Sequence, residues 1–276
     1  MKNCRLCGLD KPLRKSHIIP KFVSRFLKTT SLTGYLRGSS DINKRVQDGL
    51  KVELLCDSCE SKFSKWEGEF ANGIFSSHIN LMEQGLDVIK IDYDSSLIKF
   101  VISIFWRVLV ATEVAKDISA SNMMYVNNLV PIWTEFLNEK RLNWGDCEFH
   151  LITLDKIDER YIHDFPKYLN AYLFRLWDIC AYDANGNVGI FIKLPGLLLL
   201  CAIIPSKLPG LFESKIEYIG TMNLNKQIDK TKLVGTILVY RSLAFEREAA
   251  KLTAKEYKKI GDEISIKLLK LSTFSN

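Results

Sequence analysis

Apolar residues recur along this chain with two rhythms. Between Lys21 and Lys28 they fall at Phe22, Val23, Phe26 and Leu27, the spacing of a helix with one apolar side. Phe63, Trp66, Phe70 and Ile74 repeat that rhythm, while Glu60, Ser64 and Glu67 share another side. This predicts an amphipathic helix opening at the second cysteine pair, capped by Asp57 or Ser58, with the aromatic stripe as core. Glu60 and Glu67 then stand two turns apart, roughly 10 Å by helix rise, too far to share one ion. Leu97–Lys116 is apolar on almost every side and predicts a central helix, within which Arg107 requires a buried acid or a carbonyl. Asn122–Lys140 predicts another, with Pro131 at its start or at a kink.

After Asp146 the rhythm shortens. Cys147–Leu154 alternates as a strand does, and Ala171–Tyr182 and Val188–Lys193 are rich in aromatic and branched residues. Asp183-Ala-Asn-Gly-Asn between them is a hairpin signal. Leu197–Ile204 predicts a buried strand, and Ile216–Ile219 and Leu233–Val239 predict more. Ser242–Leu271 predicts a charged amphipathic helix. Residues 29–50 are polar, with Gly34, Gly38 and Gly49, and predict a loop, while Asp92-Tyr-Asp-Ser-Ser predicts a turn. No repeat or low-complexity tract is present. The expected class is α+β: a small N-terminal module over 1–80 and a body over 90–276, with helices before and after an antiparallel sheet.

Charge sharpens this division. Residues 1–51 hold twelve Lys and Arg against three acids, a local balance of +9, so the remainder carries −3 of the chain's net +6. A basic module on a slightly acidic body suits a polyanionic partner such as nucleic acid. No apolar leader opens the chain and neither apolar run is long enough to cross a bilayer, so a cytoplasmic protein without a membrane partner is expected. Cys147, Cys180 and Cys201 sit among apolar residues and read as buried reduced thiols.

The remaining cysteines form two pairs, Cys4-Arg-Leu-Cys7 and Cys56-Asp-Ser-Cys59. Each pair offers two thiolates at a knuckle or a helix turn, and four thiolates close a tetrahedral zinc site. Gly8 follows the first pair, where a knuckle favours a residue free to take positive φ. Ser16-His17-Ile18-Ile19-Pro20 lies between the pairs and reads as part of a short hairpin. Its flanking Arg14, Lys15 and Lys21 suit phosphate contact. His78, His150 and His163 assemble into no recognisable spacing. The body contains no phosphate-binding Gly loop, nucleophile elbow or paired carboxylates.

CxxC, then a histidine in Ser-His-Ile-Ile-Pro, then Leu-Cys-x-x-Cys opening a helix resembles the HNH endonuclease family, over about residues 1–75. The stretches Gln47-Asp-Gly-Leu, Trp66-Glu67 and Ile104-Phe-Trp106-Arg107 are similar to a poorly characterised prokaryotic group with an HNH-like N-terminus. The resemblance implies a treble-clef or ββα-metal core with structural zinc on Cys4, Cys7, Cys56 and Cys59. It also implies His17 as general base, catalytic Mg²⁺ or Mn²⁺, and by analogy a setting in phage defence. Departures accompany it. Ser16 stands where a metal ligand is common, and Glu60 stands where the family has histidine. No Asn precedes Cys56 at the usual position, leaving Asn43 and Gln47 as candidates to orient His17. Glu60, a hard oxygen ligand, can replace the histidine toward magnesium. The alternative is a non-catalytic zinc-stabilised module that binds nucleic acid or protein. On the nuclease reading the body would recognise a protein partner, a ligand or the nucleic acid's context.

Overall fold

The structure, a computed structural model, describes residues 3–38, 41–84, 90–154 and 166–273. The N-terminal part runs β1 (Leu13–His17), α1 (Lys21–Thr29), β2 (Leu36–Arg37), β3 (Arg45–Val46), β4 (Lys51–Cys56), α2 (Asp57–Phe70), a π-helical turn over Ala71–Phe75, and α3 (Ser76–Glu83). There follow β5 (Ile91–Tyr93), α4 (Ser95–Ala111), a short 3₁₀ turn, α5 (Ala120–Leu137), β6 (Glu148–Thr153), α6 (Leu169–Arg175), β7 (Asp178–Ala184), β8 (Asn187–Leu194) and β9 (Leu197–Ile204). The chain finishes with β10 (Leu211–Phe212), β11 (Gly220–Met222), β12 (Ile228–Asp229), α7 (Leu233–Ala249) and α8 (Ala254–Thr273).

The main sheet is antiparallel in the order β6-β9-β8-β7. Its β7–β8 turn places Asn185 and Gly186 at φ of 53° and 74°, the left-handed pair that a two-residue hairpin needs. Leu197–Ile204 is apolar throughout because both faces of the sheet are covered. Leu197, Leu199, Cys201 and Ile203 join one hydrophobic cluster, and Leu198, Leu200 and Ala202 join the other, which includes α6 and α7. On the first side, Phe149 of β6 meets Phe105 of α4 and Trp133 of α5, each at 5.5 Å between ring centroids. On the second, the fully buried Lys193 of β8 donates to the carbonyls of Leu173 and Leu176 at the end of α6.

The first cluster continues without a break into the N-terminal part and includes Cys4, Leu6, Ile18, Val23 and Leu55. Here α2 lies on α4, with Phe70 stacked on Phe100 at 4.1 Å and Phe63 edge-on to Trp106 at 6.0 Å. The aromatic stripe of α2 is thus core, as its spacing predicts, and so are α1 and the strand of β9.

Several expectations are corrected. Neither Asp57 nor Ser58 caps α2; Cys56 occupies the cap position and no side chain bonds there. The 29–50 stretch contains the β2–β3 ladder. The predicted turn at 92–96 is partly strand β5, and its Asp94 caps α4 by accepting from the Ser96 N–H at 2.8 Å. Pro131 lies inside α5. The first half of Ala171–Tyr182 is helix, because Leu169, Tyr172 and Leu173 bury one side at helical spacing. Leu233–Val239, rich in branched residues, is helix as well: Val234, Ile237 and Leu238 pack downward at spacings of three and four residues. Lys215 forms only an isolated bridge to His150, and no strand covers Ile216–Ile219. The tail is two helices, α7 and α8.

Because α2 and α4 share one core, Phe100→Ala should destabilise the chain by about 3–5 kcal/mol. Urea unfolding followed by tryptophan fluorescence is expected to show one transition, shifted to lower urea in the variant.

Candidate metal centre and histidine site

The first cysteine pair sits in a knuckle. The Gly8 N–H donates to the Cys4 carbonyl at 2.8 Å with Gly8 at φ 75°, and the Cys4 N–H donates to the Leu9 carbonyl at 3.0 Å. The Arg5 N–H donates to the Leu54 carbonyl at 3.0 Å, which docks the knuckle on β4. From the body, the Asn138 side-chain amide donates to the Leu6 carbonyl at 2.7 Å. The second pair straddles the junction of β4 and α2. The four sulfurs lie within 4.8 Å of one another, with Cys7 Sγ and Cys56 Sγ 3.9 Å apart. A tetrahedral zinc–thiolate site, with Zn–S about 2.3 Å, has an edge of about 3.8 Å. The cluster could therefore hold a metal ion such as zinc.

Its electrostatics point the same way. Burial raises the Cys59 and Cys7 thiols above their ordinary value. Burial also acts to raise Cys56, but hydrogen bonds from the Ser58 hydroxyl and the Cys59 N–H outweigh it and bring Cys56 to about 6. Thiolates this close repel, and a divalent cation is the charge that lets all four ionise together.

Strand β1 does not close a hairpin with its immediate neighbours; it pairs antiparallel with β4, with His17 opposite Lys51 and Ser16 opposite Val52. Adjacent strand residues point to opposite sides. Ser16 turns inward, fully buried, and its hydroxyl donates to Glu60 Oε2 at 2.6 Å. His17, at the strand's end, meets Asp48 instead: its Nε2 lies 3.0 Å from Asp48 Oδ1. The imidazole is mostly buried, with 14% of its side chain exposed.

Asp48 is the residue that inspection of the chain missed. Asn43 does not reach His17; its amide bonds the Lys251 carbonyl and the Thr253 N–H instead. Gln47 is exposed. The available signal was the Gln47-Asp-Gly-Leu stretch itself, where Gly49 donates its N–H to Asp48 Oδ1 at 2.9 Å. Lys51 Nζ adds a contact of 2.6 Å to the other oxygen. Burial alone would raise the Asp48 carboxyl; the bonds from Lys51, His17 and Gly49 outweigh it and hold it down at about 2. An ionised Asp48 accepts the Nε2–H of a neutral imidazole, which leaves the lone pair on Nδ1.

Behind the strand stands Arg107 of α4, 1% exposed. Its Nη1 is 2.6 Å from Glu67 Oε1 and donates to the His17 carbonyl at 2.8 Å. The sequence demanded a buried acid or a carbonyl for this residue, and both are present. Glu67 is thereby committed to a structural pair. The end of β1 thus carries two separate polar groups, Ser16 with Glu60 on one side and His17 with Asp48 on the other, while Arg107 with Glu67 holds the His17 backbone. Of the flanking cations, Arg14 is ion-paired with Asp57 at 2.8 Å, while Lys15 and Lys21 are exposed.

The other histidines do not join the site. His78 is buried and lies 3.2 Å from the Gly196 carbonyl. His150 is buried against Ser214 and Glu148, and burial lowers it to about 4. His163 lies outside the described residues. Cys147 and Cys201 are buried free thiols, and Cys180 is half-buried. Among the described residues no helix is long and apolar enough to cross a membrane. Comparison with protein-family models, with curated proteins and with solved structures found no match.

Two outcomes follow. Purified protein should contain one equivalent of zinc by elemental analysis, and Cys56→Ser should lose it together with thermal stability. Because the folded-state value of Asp48 lies below its unfolded one, its contribution is complete above about pH 4 and is lost as pH falls toward 2. Asp48→Asn should thus destabilise the chain at pH 6 in urea unfolding, with the deficit shrinking by pH 3.

Proposed function

We propose that this chain is an HNH-like, metal-dependent endonuclease that hydrolyses phosphodiester bonds of nucleic acid, DNA more than RNA. In this reading residues 1–80 form a treble-clef or ββα-metal module. Cys4, Cys7, Cys56 and Cys59 hold a structural zinc that fixes the register of β1 against β4 and α2. The observation that carries the reading is the contact of His17 Nε2 with Asp48 at the end of β1, on the strand whose preceding residue meets Glu60. Residues 17 and 60, which the resemblance assigns to one site, are held on the two sides of the end of β1, His17 by Asp48 and Glu60 by Ser16, so this reading requires a phosphate that reaches both around the strand end.

The ionised Asp48 fixes the imidazole tautomer, so His17 Nδ1 takes the proton from the attacking water. The water oxygen bonds to phosphorus as the bond to the leaving sugar oxygen breaks, and that oxygen takes a proton from bulk water while His17 gives its own back to solvent. Arg107 holds the His17 carbonyl and keeps the ring from drifting with the strand end. Glu60 offers one carboxylate oxygen beyond the one that Ser16 occupies, a hard donor suited to Mg²⁺ or Mn²⁺ beside phosphate oxygens and water. When bound, that ion would supply charge stabilisation to the phosphate and the leaving oxygen. Exposed Lys15 and Lys21 would contact the backbone. The body would recognise the trigger or a protein partner, and phage defence is the setting that the resemblance suggests.

One observation favours the second reading, a non-catalytic zinc-stabilised binding module. Buried Ser16 already satisfies one Glu60 oxygen with a neutral hydroxyl, where a nuclease usually presents a further ligand. The two readings separate in a cleavage assay on plasmid and single-stranded substrates with Mg²⁺ or Mn²⁺. Under the first, His17→Ala, Asp48→Asn and Glu60→Ala each lower cleavage by about 100-fold or more with zinc content retained. Binding that persists in all variants, with no cutting by the wild type under either metal, would establish the second.

A further inference from the structure

The β2–β3 ladder places Arg37 directly opposite Arg45. Like charges facing each other across a strand pair repel, so this arrangement requires an anion. Tyr35 lies between them: Arg45 stands 4.0 Å and Arg37 5.5 Å from its ring centre. The anions come from the far end of the chain. Glu256 of α8 is 3.0 Å from Arg37 and 3.9 Å from Arg45, and Glu263 is 2.7 Å from Arg45. Asn43 clips the start of this helix by accepting from the Thr253 N–H at 2.8 Å. Further along, Lys267 donates to the Ser31 carbonyl at 3.1 Å.

What holds residues 254–265 of α8 is thus polar. No residue from Ala254 to Ser265 is buried, and Tyr257 is 72% exposed. A helix segment attached by ion pairs and hydrogen bonds, with no buried side chain among its described residues, is among the first to open. Meanwhile the arginines are not fully used. Nε and Nη2 of Arg45 are shut from solvent with no hydrogen-bond partner. Unspent donors on a guanidinium fork beside an aromatic hydroxyl match phosphate oxygens.

We infer that the Arg37–Arg45 hairpin is a nucleic-acid backbone surface and that α8 is a displaceable acidic cover, whose Glu256 and Glu263 stand where phosphates would sit. The inference rests on the nucleic-acid reading above and adds a second contact surface and a way to regulate it. Binding requires α8 to leave, so the free energy that seats the helix is subtracted from affinity.

The test uses the full chain and a short fluorescein-labelled DNA duplex, read by anisotropy without Mg²⁺ or Mn²⁺ so that no cutting intervenes. Glu256→Gln with Glu263→Gln keeps size and helix propensity while removing the cover's charge, and should tighten binding about threefold to tenfold. Arg37→Gln with Arg45→Gln should weaken it and flatten its dependence on the logarithm of salt concentration by about two units of slope. Hydrogen exchange on the wild type should show amides of 254–263 losing protection when duplex is added. Circular dichroism melts confirm that each variant folds. If duplex affinity ignores both double variants yet falls with Lys15→Gln and Lys21→Gln, the cover is wrong and the nucleic-acid reading stands. If the glutamine pair tightens binding to poly-glutamate but not to duplex, the partner is an acidic protein and the inference fails. If no variant binds nucleic acid at all, both fall together.

Discussion

A guanidinium buried in a protein core must be answered by charge and by hydrogen bonds, because stranding it costs several kcal/mol. Arg107 is answered from two directions at once, by the carboxylate of Glu67 and by the backbone of His17. Its own helix is the centre of the body, in contact with α2 through stacked aromatic rings. The requirement to pair one cation therefore fixes where α2 and the end of β1 sit relative to everything else. The histidine's place is set by a residue ninety positions away in sequence.

The thiol cluster imposes a second, complementary constraint from the opposite end of the same strand pair. It gathers the knuckle at the junction of β4 and α2, beside the end of the ladder in which Ser16 faces Val52 and His17 faces Lys51. Once that register is set, strand alternation does the rest. Ser16 is driven inward to Glu60, and His17 is presented to Asp48. A shift of a single residue would exchange these roles and bury the imidazole against the helix. Structural order and chemical potential at this site are thus one property, since both descend from register.

Electrostatics are arranged on a longer scale. The Lys and Arg of residues 1–51 are partly paired within the fold, by Asp57 on Arg14, by Asp48 on Lys51, and by the acids of α8 on Arg37 and Arg45. The cancelling groups differ in kind. Asp48 is mostly enclosed and serves a neighbour's geometry. The acids of α8 belong to a helix with no buried side along its described first half, yet their pairs with Arg37 and Arg45 are largely shielded, whereas Arg14–Asp57 lies open to water and is the pair that salt weakens most.

The sequence by itself determined those features that depend on local spacing. The two cysteine pairs, the aromatic stripe of α2, the apolar α4 with its one arginine, and the doubly buried β9 were all legible, because each follows from a period or from the cost of an unpaired charge. The candidacy of His17 was legible from its neighbours. Tertiary structure alone decided its partner. Asp48 lies thirty-one positions from His17, in a polar stretch whose path no periodicity constrains. The same limit applies to Leu233–Val239 and to the start of Ala171–Tyr182, where branched and aromatic residues suit a strand or a helix, and the choice went to whichever shape could cover the sheet. The seating of α8 on the arginine hairpin was likewise invisible, since it joins two polar segments more than two hundred residues apart by ion pairs and hydrogen bonds. Spacing along a chain records which side of an element is buried; it does not record which distant group arrives to meet it.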